Sequence, residues 1–184
     1  WNYLSDPGDT LWEYSYDTAL FWKYLAQRYG DVQVEPTAGA DFIQRWWENA
    51  LDDYETPDII QLTRSTIQEM GGAGVDAAFH DFTIANAAKD YDLSPLSASE
   101  EAKYDYVDER QGFGQSGYGS VQIFFDPTIS PGNPFGSLLG PDQYGVVYAQ
   151  TRVGECPIGS VIRYAADVES VDLALMSLLL IRGD

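Results

Sequence analysis

The segment Tyr14–Gly30, YSYDTALFWKYLAQRYG, holds six aromatic residues and two leucines in seventeen positions of a chain whose formal net charge is -19. Its apolar residues recur at helical spacing. Tyr14, Thr18, Phe21, Trp22, Leu25 and Tyr29 fall within roughly 100° of one another on a helix, and Tyr16, Leu20 and Tyr24 add a second apolar side. Asp17, Lys23, Gln27 and Arg28 leave only a narrow polar strip, so this helix must lie between other elements. Thr10 with Glu13 reads as a capping box before it, and Gly30 as its stop. The segment is too short and too interrupted by charge to span a bilayer, and it carries no ligand set for a metal or cofactor.

Helical patterning continues outward from this stretch. In ADFIQRWWENALDD, residues Phe42, Ile43, Trp46, Trp47, Ala50 and Leu51 share one face of a second helix. Thr56, Pro57 and Asp58 signal the start of a third, since proline at the first helical position loses no needed hydrogen bond and aspartate favours the positive helix end. Gly71 and Gly72 stop it after about Met70. A fourth helix is expected from about Val75 to Lys89, with Val75, Ala78, Phe79, Phe82, Ala85 and Asn86 on one side. Beyond the turn-rich DLSPLSASEE the period drops towards two: VQIFFD, YGVVYAQTRV, SVIRYAAD and VDLALMSLLLI are separated by Gly, Pro, Asn and Asp clusters. The expected fold class is therefore α+β. A helical domain at 1–92 of about four helices is followed by a connector at 93–103 and an antiparallel β domain at 104–184, sandwich-like or a partial sheet. The last apolar run ends close to Asp184, which makes an incomplete sheet, and self-association through its open edge, part of the expectation.

Composition narrows the function classes. The chain has 184 residues and a mass of 20.5 kDa, with 45% hydrophobic and 14% aromatic residues, ample for a packed core. Lys and Arg total 10 against 29 Asp and Glu, a balance that repels phosphate backbones and anionic headgroups. Nucleic acid is excluded as a partner on this ground. Membrane insertion is excluded too, because the longest apolar run, LALMSLLLI, is about half a span. Lysine occurs only at Lys23, Lys89 and Lys103, and Asp outnumbers Glu about two to one, which suits salty or divalent-rich surroundings and an extracellular or cell-surface location. Cys156 is the sole cysteine, so neither an internal disulfide nor a cysteine zinc knuckle can form. The chain begins at Trp1 without a basic segment leading into an apolar one, and the expectation is a processed product or an excised fragment.

No motif completes a catalytic constellation, so no catalytic or cofactor-binding residue is assigned and metal ligands stay unassigned. GFGQSG, Gly112–Gly117, matches G-x-G-x-x-G in letters, but it precedes the strand-like YGSVQIFF rather than a helix, and a loop or hairpin connection is the stronger reading. His80 is the only histidine, too few for an ordinary catalytic zinc site, and reads as a surface or capped structural residue. The acidic pairs Asp52-Asp53, Glu100-Glu101 and Asp108-Glu109, with Asp6/Asp9, Asp90/Asp92 and Asp105/Asp108, read as solvated surface; they leave a structural calcium ion open. A carboxylate-based hydrolase would need two of them facing one cleft. Arg182-Gly183-Asp184 spells an integrin tripeptide but reads as a turn or a cut end. Trp12, Trp22, Trp46 and Trp47 could stack sugar rings if exposed; their helical spacing favours core packing.

Three separated pieces resemble a known family. YSYDTALFWKYLAQRYG, RWWENAL and FHDFTIANAAKDY are similar to the helical region downstream of the zinc-binding motif in secreted bacterial metallopeptidases of the gluzincin type. Tyr16, Ala19, Leu20, Phe21, Trp22, Tyr24, Leu25, Tyr29 and Gly30 carry the first match, and Phe79, Phe82, Ala85 and Asn86 the last. The resemblance covers roughly residues 1–92. It implies a non-catalytic supporting fragment of a larger secreted, metallopeptidase-like protein, with other domains of the parent chain as partners. H-E-x-x-H is absent from this chain, so zinc is expected only in a missing upstream domain. The other expectation is an extracellular structural or binding module, such as a surface-layer, filament or carbohydrate-binding component.

Overall fold

The computed structural model of the chain describes residues 11, 18–32, 34, 37–52, 58–88, 97–99, 104, 128–129 and 152–153. Four helices dominate: α1, Ala19–Tyr29; α2, Ala40–Asp52; α3, Ile59–Glu69; and α4, Val75–Ala88. The 3.6-residue pattern explains why α1 is the centre. Leu20, Phe21, Tyr24, Leu25 and Ala26 are all buried, and the helix is gripped from two sides. On the α4 side the Phe21 ring meets Phe82 at 5.1 Å and Phe79 at 6.0 Å, edge to face, and Tyr24 lies 5.6 Å from Phe82. On the α2 side Trp22 meets Trp46 at 5.1 Å and Tyr29 meets Phe42 at 6.2 Å. The Phe21–Phe79, Phe21–Phe82 and Trp22–Trp46 pairs set ring edge against ring face, a geometry favoured by the aromatic quadrupole, while the two tyrosine pairs are tilted.

Helix ends follow local chemistry. Asp58 caps α3, its Oδ1 accepting the Ile60 N–H at 2.9 Å. Asp58 of the expected start signal is thus the cap, and Thr56 and Pro57 lie outside the described residues. At the other end Gly71 takes φ +85°, the left-handed conformation that ends helices and that glycine adopts without steric cost. Gly30 ends α1 for a different reason. Its backbone is extended, but a Cβ there would stand 2.6 Å from Gly39 Cα and 2.7 Å from the Ala26 carbonyl oxygen. Facing it, Gly39 has φ +73°, and a Cβ on it would run into the Ala26 backbone. The two glycines let the connection turn back against α1 and start α2 beside it. The Thr10–Glu13 capping box lies outside the described residues.

The α+β expectation is corrected. The described residues are overwhelmingly helical, and the only strand pairing among them is two residues long, β1 (Thr128–Ile129) with β2 (Arg152–Val153). It runs parallel, Thr128 opposite Arg152 and Ile129 opposite Val153, not antiparallel. Clusters of Gly, Pro and Asn mark where apolar runs are separated, and they do not by themselves say whether the runs pair parallel or antiparallel. Alternating apolar residues report a one-sided surface, and that alone does not establish a sheet. VQIFFD, SVIRYAAD and VDLALMSLLLI lie outside the described residues.

Candidate functional site

The chemistry-bearing side chains of the described residues gather where helices meet. Asp41, in the first turn of α2, reaches back to the end of α1: its Oδ2 accepts the Asp31 N–H at 2.7 Å and its Oδ1 the Val32 N–H at 3.3 Å. Partial burial pushes this carboxyl up, but the N–H groups of Asp31, Val32, Asp41 and Phe42 together outweigh that and hold it below the usual carboxylate range. The aspartate acts as a clasp across the α1–α2 turn, which the Gly39 N–H donating to the Val32 carbonyl at 2.7 Å closes from the backbone side.

A second cluster joins α2 to α3 around an open groove of about 330 Å³ lined by Asp41, Gln44, Arg45, Glu48, Glu69 and Met70. Arg45 Nε donates to Glu69 Oε2 at 3.0 Å, and its Nη1 stands 3.6 Å from Glu48 Oε2. Asn49 Nδ2 donates to both Thr66 Oγ1 at 3.0 Å and Glu69 Oε2 at 3.1 Å. The Asn49 donor, with Arg45 behind it, lowers the Glu69 carboxyl below its ordinary range despite some desolvation. Arg45 and Glu69 remain half-exposed, so each contact is weak by itself. Their common effect is to fix how α2 crosses α3, together with the Trp46 indole N–H donating to Thr63 Oγ1 at 3.2 Å. Between α3 and α4, Arg64 pairs with Asp76 at 3.3 Å.

A third feature is a groove of about 350 Å³ where Arg28 and Tyr29 of α1 face Gly71 and Gly72 and Asp81 of α4. Burial, reinforced by the nearby Asp81 charge, raises the phenols of Tyr24 and Tyr29 above their ordinary value. Both therefore stay protonated at neutral pH and supply neither a base nor a phenolate nucleophile. His80 is half-buried on α4, where its backbone carbonyl accepts the Thr83 hydroxyl at 2.7 Å. Among the described residues no three His, Cys, Asp or Glu side chains converge on a common point for a metal ion.

The tryptophans divide. Trp22 and Trp46 are half-buried in contact with each other, as their spacing predicts. Trp47 is corrected: it is 60% exposed, and Leu51, one turn further on, is 71% exposed. Trp46 and Trp47 are adjacent in sequence and so about 100° apart on the helix, and only the first faces a neighbour. Of the acidic pairs, Asp52 is exposed at the end of α2. The pairs at 6/9, 90/92, 100/101, 105/108 and 108/109, together with Asp53, Trp12, GFGQSG, Cys156 and Arg182-Gly183-Asp184, lie outside the described residues. Asp41, Asn49 and Glu69 escaped the sequence reading, and only the position of Asp41 just inside a helix start hinted at its role.

No helix among the described residues is long and apolar enough to cross a membrane. Compared with protein-family models, with curated proteins and with solved structures, the chain finds no match in any of the three.

Proposed function

We propose that this chain is a non-catalytic supporting part of a larger secreted, metallopeptidase-like protein, acting outside the cell or at its surface. One observation carries the reading: among the described residues, several polar side chains join one helix to the next. Asp41 ties α2 to the end of α1, Arg45 and Asn49 tie α2 to Glu69 of α3, and Arg64 ties α3 to Asp76 of α4. Around an aromatic centre this makes a buttress, a unit whose task is to hold its own shape and present a face. The residues of the gluzincin-type resemblance in α1 and α4 are the same ones that pack together at that centre, Phe21 with Phe79 and Phe82. Zinc and the catalytic glutamate belong, on this reading, to an upstream domain.

The coding sequence ahead of the Trp1 codon tests the assignment. An H-E-x-x-H motif is expected within about 150 residues, roughly one domain length; an open frame of that length without it sinks the peptidase kinship. The isolated chain is expected to leave a casein substrate intact with or without added zinc, and zinc-dependent cleavage would refute the supporting role.

A second reading, an extracellular binding module, is favoured by one specific observation: Trp47 and Leu51 stand exposed on the same side of α2. Large apolar side chains side by side on a surface mark interaction sites more often than isolated ones do.

A further inference from the structure

The face of α2 turned away from α1 and α3 combines three properties. It is apolar, through Trp47 at 60% and Leu51 at 71% exposure, one helical turn apart. It carries carboxylates along the edge it shares with the α2–α3 groove, where Glu48, 3.6 Å from Arg45 and accepting the Gln44 amide at 2.8 Å, and Asp52 follow these two residues in sequence and are themselves exposed. And it is held in place from behind. The Trp47 ring meets the Trp46 ring at 5.2 Å and 90°, Trp46 is hydrogen-bonded to Thr63, and Trp46 in turn packs on Trp22 at 5.1 Å. The exposed indole is the outer member of a row of three rings rooted in the core.

We propose that this face docks a basic amphipathic helix presented by another protein: an apolar stripe laid on Trp47 and Leu51, with lysine or arginine beside it meeting Glu48 and Asp52. The inference stands on these side chains alone and does not depend on the metallopeptidase resemblance. A tryptophan whose orientation is fixed before binding loses little freedom on contact, which is the character of an interface anchor. Spacing of one turn between the two apolar residues suits a partner that offers its own side chains at helical intervals. Charge selects the partner. A second copy would bring Glu48 and Asp52 against their equivalents in a molecule of net charge -19, and nucleic acid and anionic lipid are repelled in the same way. A sugar ring could stack on Trp47, but it would leave the aliphatic Leu51 unused.

The test uses the full 184-residue chain and three probes. One is a labelled peptide of about 18 residues, long enough to hold a helix when bound, with leucines along one stripe and lysines beside it. The second replaces the lysines with glutamates, and the third is a cello-oligosaccharide. Fluorescence anisotropy at low and high salt is expected to show binding of the lysine peptide, weakened by salt, and none of the glutamate peptide. Trp47→Ala and Leu51→Ala are each expected to weaken binding about tenfold or more, the scale of a truncated anchor. Both side chains are exposed, so the variants are expected to melt within a few degrees of the parent. The paired change Glu48→Lys and Asp52→Lys is expected to transfer preference to the glutamate peptide. Failure of the lysine peptide to bind overturns the proposal. So does binding that survives loss of both Trp47 and Leu51, which would be general adhesion to an acidic surface. Displacement of the peptide by the oligosaccharide, or a dimer in sedimentation that Trp47→Ala dissolves, would replace it with a sugar site or a self-interface.

Discussion

Phe21→Ala is the sharpest perturbation of this architecture. Phe21 is fully buried and its ring touches both Phe79 and Phe82 of α4, so truncation removes the centre of the α1–α4 contact. A buried aromatic side chain withdraws about 150 to 250 Å² from water, and at about 25 cal/mol per Å² the lower figure gives roughly 4 kcal/mol. Two edge-to-face pairs add about 0.5 to 1.5 kcal/mol each, while partial collapse of the cavity and the methyl group that alanine retains subtract a comparable amount. The expected loss is about 3 to 5 kcal/mol, the range for emptying a large aromatic site. Urea unfolding followed both by tryptophan fluorescence and by far-ultraviolet circular dichroism reads it, and coincidence of the two curves checks that the transition is two-state. With an m-value near 2 kcal/mol per molar, the midpoint falls by about 2 M at constant slope. Phe21→Leu, which keeps most of the volume, should lose less than about 1.5 kcal/mol. A loss below about 1 kcal/mol for the alanine variant would mean that α1 is peripheral, and the arrangement of helices argued above would fall with it.

Other consequences can be checked in the same assay. Gly39→Ala forces a side chain into the left-handed region, at about 1 to 2 kcal/mol, and also into the Ala26 backbone; Gly71→Ala meets the same strain with open space around the Cβ, so the Gly39 variant should be the more destabilised by at least about 1 kcal/mol. Equal effects would show that α1 and α2 do not approach closely at that turn. Asp41 and Glu69 both have carboxyls lowered by folding, so the stability they contribute is fully present above the unfolded-state carboxylate range and is lost as pH falls through their lower folded-state values. Asp41→Asn should accordingly flatten the acid side of the stability curve, and an unchanged curve would remove the clasp. Salt should raise the melting temperature, because screening relieves the self-repulsion of a chain with net charge -19 more than it weakens half-exposed pairs such as Arg45–Glu69; a fall on going to about 1 M sodium chloride would contradict this.

The helical part was legible in sequence where one local rule decided the outcome. Phe21, Leu25, Ala78, Phe82 and Ala85 recur at 3.6-residue spacing, and all are buried. Gly71 sits where a helix must end in a left-handed residue, and it does. The failures share a cause: they depend on where a neighbour lies. A helical wheel gathers Phe42, Trp46, Trp47 and Leu51 into one apolar arc, yet α1 and α3 cover only its Phe42–Trp46 side. Gly30 does end α1, as expected, but the approach of Gly39 nine residues on, which its small size permits, follows no local rule. The Asp41 clasp and the Asn49–Glu69 bridge join groups 10 and 20 residues apart, beyond the reach of any capping or i,i+4 rule. The α+β expectation went further astray for the same reason, because period-two patterning does not say which strand will lie alongside.

That excess of apolar residues on α2 carries the functional argument. A helix needs only as wide an apolar stripe as its neighbours cover, and further apolar residues on the outside normally cost solubility. Here the surplus is two large side chains one turn apart, set beside two carboxylates and backed by Trp46, which is itself fastened to Thr63 and Trp22. Removing Trp47 should therefore barely disturb folding while removing Trp46 should damage it, although the two tryptophans are adjacent and chemically identical. Trp46→Ala loses the Trp22 contact, the Trp47 contact and the Thr63 hydrogen bond, and is expected to cost about 2 to 4 kcal/mol, whereas Trp47→Ala should stay within about 0.5 to 1 kcal/mol. If the two variants lost stability equally, Trp47 would be part of the core, and α2 would have no face left over for a partner.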